Sequence, residues 1–234
     1  YFKKGVKASS ERPPATSLTF PFNMRWGMSI WNWVFGNDKP FVAPVGASGE
    51  VLRGAYLVQG LGHCGSCHTP RGVAMNEKGF DNSDQAFLAG GDLNGWHVPA
   101  LRGLPNWTKQ EIVDYLATGR NGTAAVAGEM TSVIANSTSH LTDADLNAVA
   151  AYLKSLEPNK PALQPNEAAA QATTAKLTAA TGLSEGQRLY IDNCAACHFV
   201  DGHGAPRVFP RLDGASLVNA DNPAGLINVI LSGA

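Results

Sequence analysis

Two stretches of the sequence decide its architecture: GLGHCGSCHTPRG at residues 60–72 and DNCAACHFVDGHG at residues 192–204. Each contains Cys-x-x-Cys followed directly by a histidine, and together they hold all four cysteines of the chain. The residues concerned are Cys64, Cys67 and His68 in the first stretch, and Cys194, Cys197 and His198 in the second. Two copies of one spacing indicate a shared chemical requirement, and no cysteine remains for an independent disulfide.

Cys-x-x-Cys-His is the spacing of covalent haem c attachment, in which each thiol joins one vinyl group of the porphyrin. Two thiols about one helical turn apart fix one edge of the ring, and the adjacent imidazole can then ligate the iron from one side. The sequence therefore predicts two attached haems, with His68 and His198 as iron ligands.

Two other uses of paired cysteines fit less well. A zinc site would pair Cys-x-x-Cys units at a separation of roughly 15 to 20 residues, whereas Cys67 and Cys194 are 127 positions apart. A thioredoxin-like pair would need a βαβ surround, and no segment shows a convincing strand pattern. Haem attachment remains the interpretation that both motifs favour.

Composition and charge narrow the protein class further. The chain has 234 residues, of which 44% are apolar and 16% charged, as in a globular protein. The formal net charge of −1 lacks the basic excess of a nucleic-acid binder, so we expect no nucleic-acid partner. No apolar run approaches the 18 residues that a membrane-spanning helix needs.

Helical patterns surround both motifs, so we predict an all-α fold. Apolar residues recur at helical spacing from Gly49 to Leu61 and lead into the first motif. N-cap signals mark three further helices: Thr108 with Glu111, Thr142, and Ser184 with Gln187, the last leading into the second motif.

Internal repetition predicts tandem haem domains. The segment VPALRG at 98–103 matches FPRLDG at 209–214, and IVDYLATGR at 112–120 matches LINVILSGA at 226–234. The Pro-, Ala- and Thr-rich stretch between the repeats is typical of a semi-extended linker. The predicted domains are the end of a preceding domain plus an arm (1–48), a haem domain (49–157), the linker (158–183) and a second, incomplete haem domain (184–234).

The arm carries two further hypotheses. YFKKGVK at the start resembles YLKSLEP at Tyr152, so Tyr1 could belong to the last turn of an earlier repeat. Trp26, Trp31 and Trp33 lie among apolar neighbours. Two interpretations of these tryptophans stay open: a membrane or subunit interface, or packing over the preceding domain.

The repeated prolines and one arginine are candidates for supporting the haems. An iron-bound histidine is usually oriented through its other ring nitrogen by a carbonyl, and Pro99 and Pro210 could supply one. Alternatively, these prolines only rigidify turns. Arg71 could pair with a haem propionate or be a solvated surface residue.

The opposite face of each iron needs a thioether or a second imidazole. Met130 lies 62 residues after His68, between two predicted helices, so the chain can return there over the far face of the ring. Met130 could also be core filler, and His97 and His140 are rival ligands. For the second haem, the repeat places the equivalent ligand near position 244.

The quoted motifs, with FLAGG at 87–91 and the helix preceding Pro158, resemble the multihaem cytochrome c subunit of membrane-bound periplasmic dehydrogenases of acetic-acid-type bacteria. These dehydrogenases oxidise alcohols, aldehydes or sugars. The resemblance implies tandem class I cytochrome c domains, with Cys64, Cys67, His68 and Met130 at one haem and Cys194, Cys197 and His198 at another. It also leaves room for a third haem in residues preceding Tyr1.

The same resemblance implies a function and partners. An electron-transfer subunit of this kind has no substrate chemistry of its own. It passes electrons from a quinoprotein, flavoprotein or molybdenum subunit to ubiquinone, on the periplasmic side of the inner membrane, and a C-terminal segment holds it there. Two alternatives remain: a free dihaem shuttle, and a peroxidase-like enzyme whose iron has an open face.

Overall fold

The computed structural model describes residues 5, 7, 9–12, 14–164 and 166–233, which form two compact units, 1–40 and 41–234. Most of the YFKKGVK segment lies outside the described residues, and so does its predicted likeness to a domain's final helix. Residues 41–48, which the sequence assigned to the arm, belong to the second unit. There the rings of Phe41 and Tyr56 form a T-shaped contact, with 5.9 Å between centroids.

The first unit contains one helix, α1 (Gly27–Phe35), among its described residues. The rings of Trp31 and Phe35 lie one turn apart with centroids 5.7 Å from each other. No residue of α1 is buried, and Trp33 is 85% exposed. Helix α1 therefore buries none of its side chains within this unit.

The second unit is mainly helical and carries both motifs. Its elements in chain order are α2 (Gly49–Tyr56), a π turn (Leu57–Leu61), α3 (Gly65–His68), β1 (Gly91–Leu93), β2 (Trp96–Val98), α4 (Lys109–Thr118), α5 (Met130–Asn136), a 3₁₀ turn (Thr138–His140), α6 (Asp143–Ser155), α7 (Glu167–Ala179), α8 (Glu185–Asn193), α9 (Ala195–His198) and α10 (Ala224–Ser232). This order confirms the all-α prediction apart from one small hairpin.

The predicted helix starts are confirmed by their hydrogen bonds. Thr108 and Glu111 form a reciprocal capping box at α4, and Ser184 and Gln187 form one at α8. The Thr142 hydroxyl accepts from the backbone N–H of Asp145 at α6. Each cap satisfies N–H groups that have no partner within the helix, so these local signals set the starting points of three helices.

Two sequence predictions are wrong. The linker is not extended throughout, because Glu167–Ala179 forms α7, with Asn166 as its N-cap. Its alanines favour helix even though the apolar spacing is weak. The sequence reasoning also found no strand, yet β1 and β2 form an antiparallel hairpin. The turn residues Asn94 and Gly95 both have positive φ, which is the geometry that an Asn-Gly pair favours.

The core of the second unit depends on a close crossing of α2 and α6. A Cβ at Gly54 would lie 1.9 Å from the carbonyl oxygen of Ala148 and 2.7 Å from Cβ of Tyr152. Tyr152 is buried, and its hydroxyl lies 2.7 Å from the Gln59 amide, which donates to it. Only glycine at position 54 permits this approach, which brings α2 and the first motif onto α6.

In the described parts of both units, no helix is long and apolar enough to cross a membrane.

Replacing Gly54 tests the crossing. We expect Gly54→Ala to lower the free energy of unfolding by about 3 kcal/mol, since the helices must separate to admit the methyl group. Gly49→Ala in the same helix is the control, because a Cβ there meets nothing within 4 Å. The control should be neutral or stabilising by up to about 1 kcal/mol. Denaturant unfolding measures both variants, and equal effects would contradict the crossing.

Candidate haem-attachment sites

The first motif is formed by the π turn and α3. The backbone N–H of Cys64 donates to the carbonyl of Val58 (3.2 Å), and the N–H of His68 donates to the carbonyl of Cys64 (3.0 Å). Cys64 and Cys67 are three residues apart on this turn, so they share one face. Cys64 is half-buried and Cys67 is exposed, and both thiols are free for attachment.

Burial changes the acidity of the Cys64 thiol. Desolvation raises the pKa of Cys64 to about 11, and the neighbouring Cys67 adds to this effect. Cys64 is therefore a neutral thiol at ordinary pH. A neutral thiol packs against apolar groups at a lower cost than a thiolate does.

The imidazole of His68 is held by one ring nitrogen. Its Nδ1 lies 2.8 Å from the carbonyl oxygen of Pro99, and because a carbonyl can only accept, Nδ1 carries the proton. Nε2 then has a free lone pair, as an iron ligand requires. Desolvation lowers the pKa of His68 while the Pro99 hydrogen bond opposes this, and the net shift favours the neutral ring.

The second motif repeats this geometry on α8 and α9. The N–H of Cys194 donates to the backbone carbonyl of Tyr190 (2.9 Å), and the N–H of His198 donates to the backbone carbonyl of Cys194 (2.9 Å). Nδ1 of His198 lies 2.8 Å from the carbonyl oxygen of Pro210. The two prolines that the repeat singled out thus contact both histidines, at the same distance. Their role in holding iron ligands stays a prediction.

One glycine in each loop, which the sequence reasoning missed, bonds to the histidine backbone. The N–H of Gly90 donates to the carbonyl of His68 (2.8 Å), and the N–H of Gly204 donates to that of His198 (3.0 Å). Both glycines have positive φ. A Cβ at Gly90 would lie 2.9 Å from the Val98 oxygen, and one at Gly204 would lie 2.4 Å from the Phe209 oxygen. Each histidine is therefore fixed through its ring and through its backbone.

The two loops differ greatly in length. Pro99 follows His68 by 31 residues, whereas Pro210 follows His198 by 12. In the first loop the hairpin β1–β2 lies between Gly90 and Pro99. In the second loop, a single bridge between Ala205 and Phe209 occupies the corresponding place.

Met130 is half-buried and begins α5, two residues after Gly128. Gly128 lies against the Trp96 ring, since a Cβ at this glycine would be 2.9 Å from the indole. The rival histidines have other partners: His97 Nδ1 lies 3.0 Å from an oxygen of Asp92, and His140 Nε2 lies 3.2 Å from the Ala135 oxygen. Iron ligation by Met130 stays a prediction.

Arg71 has protein partners in the structure. Its guanidinium donates to the carbonyls of Ser66 and Met75, and it lies 3.8 Å from Glu77. These contacts hold the loop that leaves α3. The predicted pairing with a propionate would have to compete with them, and it stays a prediction.

A buried arginine, Arg102, also escaped the sequence reasoning. It is 3% exposed, and its guanidinium donates to the carbonyls of Asp84, Phe87 and Glu157. It therefore ties the long loop of the first motif to the end of α6. In the aligned segments VPALRG and FPRLDG, Asp213 is the counterpart of Arg102. The repeat therefore gave no indication that Arg102 is important.

Comparison with known proteins assigns the fold to a family. The cytochrome c family profile matches residues 51–157 and 183–231. The chain belongs to the cytochrome c family. It is accordingly a haem c protein, and each matched region contains one of the two Cys-x-x-Cys-His motifs.

Curated relatives of this cytochrome c include dehydrogenase subunits. It is 41% identical to the alcohol dehydrogenase (quinone) cytochrome c subunit of Gluconacetobacter polyoxogenes, over all of this chain and 52% of the relative. It is 36% identical to the gluconate 2-dehydrogenase cytochrome c subunit of Pantoea cypripedii, over all of this chain and 55% of the relative. The chain spans about half the length of these relatives.

A relative of another kind is a diheme cytochrome c-type protein of Cereibacter sphaeroides. The identity is 37%, over 58% of this chain and 45% of the relative.

Paired glycine variants test the second loop of the cytochrome. Gly204→Ala should lower the free energy of unfolding by about 3 kcal/mol, since it adds left-handed strain to a clash with the Phe209 carbonyl. Gly214→Ala is the control, because Gly214 also has positive φ but a Cβ there meets nothing within 4 Å. We expect the control to lose only about 1 kcal/mol. Thermal unfolding measures the difference, and equal losses would show that the close approach has no energetic weight.

Proposed function

We propose that this cytochrome c is the electron-transfer subunit of a periplasmic, membrane-associated dehydrogenase, and that it passes electrons from the catalytic subunit to ubiquinone. The observation that carries the proposal is the pair of alike motifs, each with its histidine ring on a proline carbonyl, in a chain that aligns throughout with dehydrogenase cytochrome subunits.

We propose a role for each residue of the motifs. The four cysteines attach the two porphyrins, and His68 and His198 ligate the irons through Nε2. The carbonyls of Pro99 and Pro210 fix the rings in the required tautomer and increase the basicity of the ligating nitrogens. Met130 would supply a further ligand to the iron of the first haem. When bound, haem c accepts and releases one electron at its iron, and a methionine opposite histidine favours the reduced state.

The partner supplies the substrate chemistry in this proposal. The relatives' names differ in substrate, alcohol in one and gluconate in the other, although both relatives align with the whole chain. We therefore assign substrate choice to the catalytic subunit, whether quinoprotein, flavoprotein or molybdenum protein, and electron relay to the cytochrome.

A second candidate function is a free dihaem shuttle. The likeness to a diheme cytochrome c-type protein favours it, because a protein with two haem domains can carry electrons without a permanent catalytic partner. The two functions differ in whether the cytochrome stays bound to a dehydrogenase.

Purification of the native complex separates these two functions. We expect the cytochrome to co-purify, from solubilised membranes, with a larger dehydrogenase subunit in fixed stoichiometry. The purified complex should reduce a ubiquinone analogue when it is given the partner's substrate. Recovery of the cytochrome alone, from the soluble fraction, would support the shuttle and contradict the proposal.

A methionine variant tests the proposed ligand of the first haem. Met130→Ala should leave two haems on the intact chain, as its mass would show, because attachment requires only the cysteines. The midpoint potential of one centre should fall while that of the other is unchanged, since a thioether ligand raises the potential. Met75→Ala is the control, because Met75 is exposed and lies in the loop that leaves α3. An unchanged redox titration of Met130→Ala would exclude Met130 as a ligand.

A further inference from the structure

The hairpin β1–β2 occupies the extra length of the first loop and contacts the region that carries the second motif. We propose that it is a docking element that holds the two haem-attachment regions in one orientation, so that electrons pass between the haems at a fixed separation. The part of this inference that concerns electrons rests on the proposed function. The docking itself rests on contacts within the chain.

Two side-chain hydrogen bonds join the hairpin to the second region. The Asn222 amide donates to a carboxylate oxygen of Asp92 (2.9 Å), and the Asn228 amide donates to the carbonyl of Gly95 (3.0 Å). Asp92 also accepts from the His97 ring at 3.0 Å, which orients its carboxylate. One bond lies along the strands and the other at the turn, so the hairpin is held at two separate points.

Close packing accompanies these bonds. Gly225 lies in the first turn of α10, between the hairpin and its own region. A Cβ at Gly225 would lie 3.6 Å from the His97 oxygen and 2.8 Å from the side chain of Leu217. Gly225 is also buried. Helix α10 therefore approaches β2 at a residue that has no side chain to separate them.

The hairpin also contacts residues next to the first site. Within the hairpin, Trp96 lies against Gly128, two residues before Met130. The hairpin is also flanked by Gly90 and Pro99, which bond to the backbone and the ring of His68. Contact with α10 is thus made by the loop that fixes the first histidine.

Further polar contacts join the same two regions away from the hairpin. Arg207 lies 3.2 Å from Asp114 of α4 and accepts, through its carbonyl, from Arg120 (3.3 Å). The linker adds a contact of its own to the second region, because Lys160 lies 2.7 Å from Asp221. Exposed ion pairs contribute little each, but contacts at separate points restrict rotation of one region against the other.

The test removes the hairpin bonds and compares a matched amide. In the haem-loaded chain, Asp92→Ala with Asn228→Ala deletes the acceptor of one bond and the donor of the other. Asn219→Ala is the control, because the Asn219 amide donates to Ala215 within its own region. The readouts are amide hydrogen exchange and the rate at which an electron equilibrates between the two haems after flash reduction.

We expect amide exchange at the hairpin turn and in α10 to accelerate about two- to twelve-fold per bond removed, with α2 and α6 unchanged. Electron equilibration should become slower or heterogeneous, because the separation of the haems is no longer fixed. The control should change neither readout. Unchanged exchange in the double variant, or equal changes in the control, would overturn docking. Faster exchange with unaltered equilibration would overturn its role in electron transfer.

Failure of the proposed function has a different signature. Recovery of the cytochrome without a dehydrogenase subunit would contradict the proposed function, yet the exchange comparison would still decide whether the hairpin docks the two regions.

Discussion

The hydrogen bond between a histidine Nδ1 and a proline carbonyl is the contact on which the rest of the structure depends. It occurs twice, at 2.8 Å each time, and in each case it fixes the ring tautomer so that Nε2 is the nitrogen left for a metal. Neither histidine uses a neighbouring carbonyl for this bond, because the acceptor is Pro99 in the first repeat and Pro210 in the second. The chain returns to supply the carbonyl, and the loops of both repeats perform this return.

The described residues around the two motifs differ in burial. Around the first motif, α2 crosses α6 at Gly54, and Tyr152 and Arg102 are buried beneath the loop. In the described part of the second haem region, 184–233, the buried residues are the glycines Gly202, Gly204 and Gly225. Among these residues the second motif is held by backbone hydrogen bonds, and Phe209, whose ring centroid lies 6.2 Å from that of His198, supplies some apolar cover.

The sequence could predict the features that are encoded locally. Cap residues set helix starts because a side chain bonds to a backbone group three residues away, so Thr108 and Ser184 were identifiable without a structure. Repetition identified Pro99 and Pro210. Gly90, Gly204 and Arg102 act through partners that only the folded loop brings near, so position alone gave no signal. The hairpin could have been found, because Asn94-Gly95 is a known turn signal. Helix α7 could also have been inferred from its alanine content.

Both loops form the same pair of bonds to the histidine, and the longer first loop also contacts α10. What each loop must conserve is the pair of bonds at its ends: a glycine N–H on the histidine carbonyl, and a proline carbonyl on the histidine ring. Between those bonds the second loop closes with one bridge, which shows that a short connection suffices. The longer first loop is therefore not needed for histidine geometry. Because its added residues fold as a hairpin with its own register, they can contact α10 without disturbing the bonds at either end.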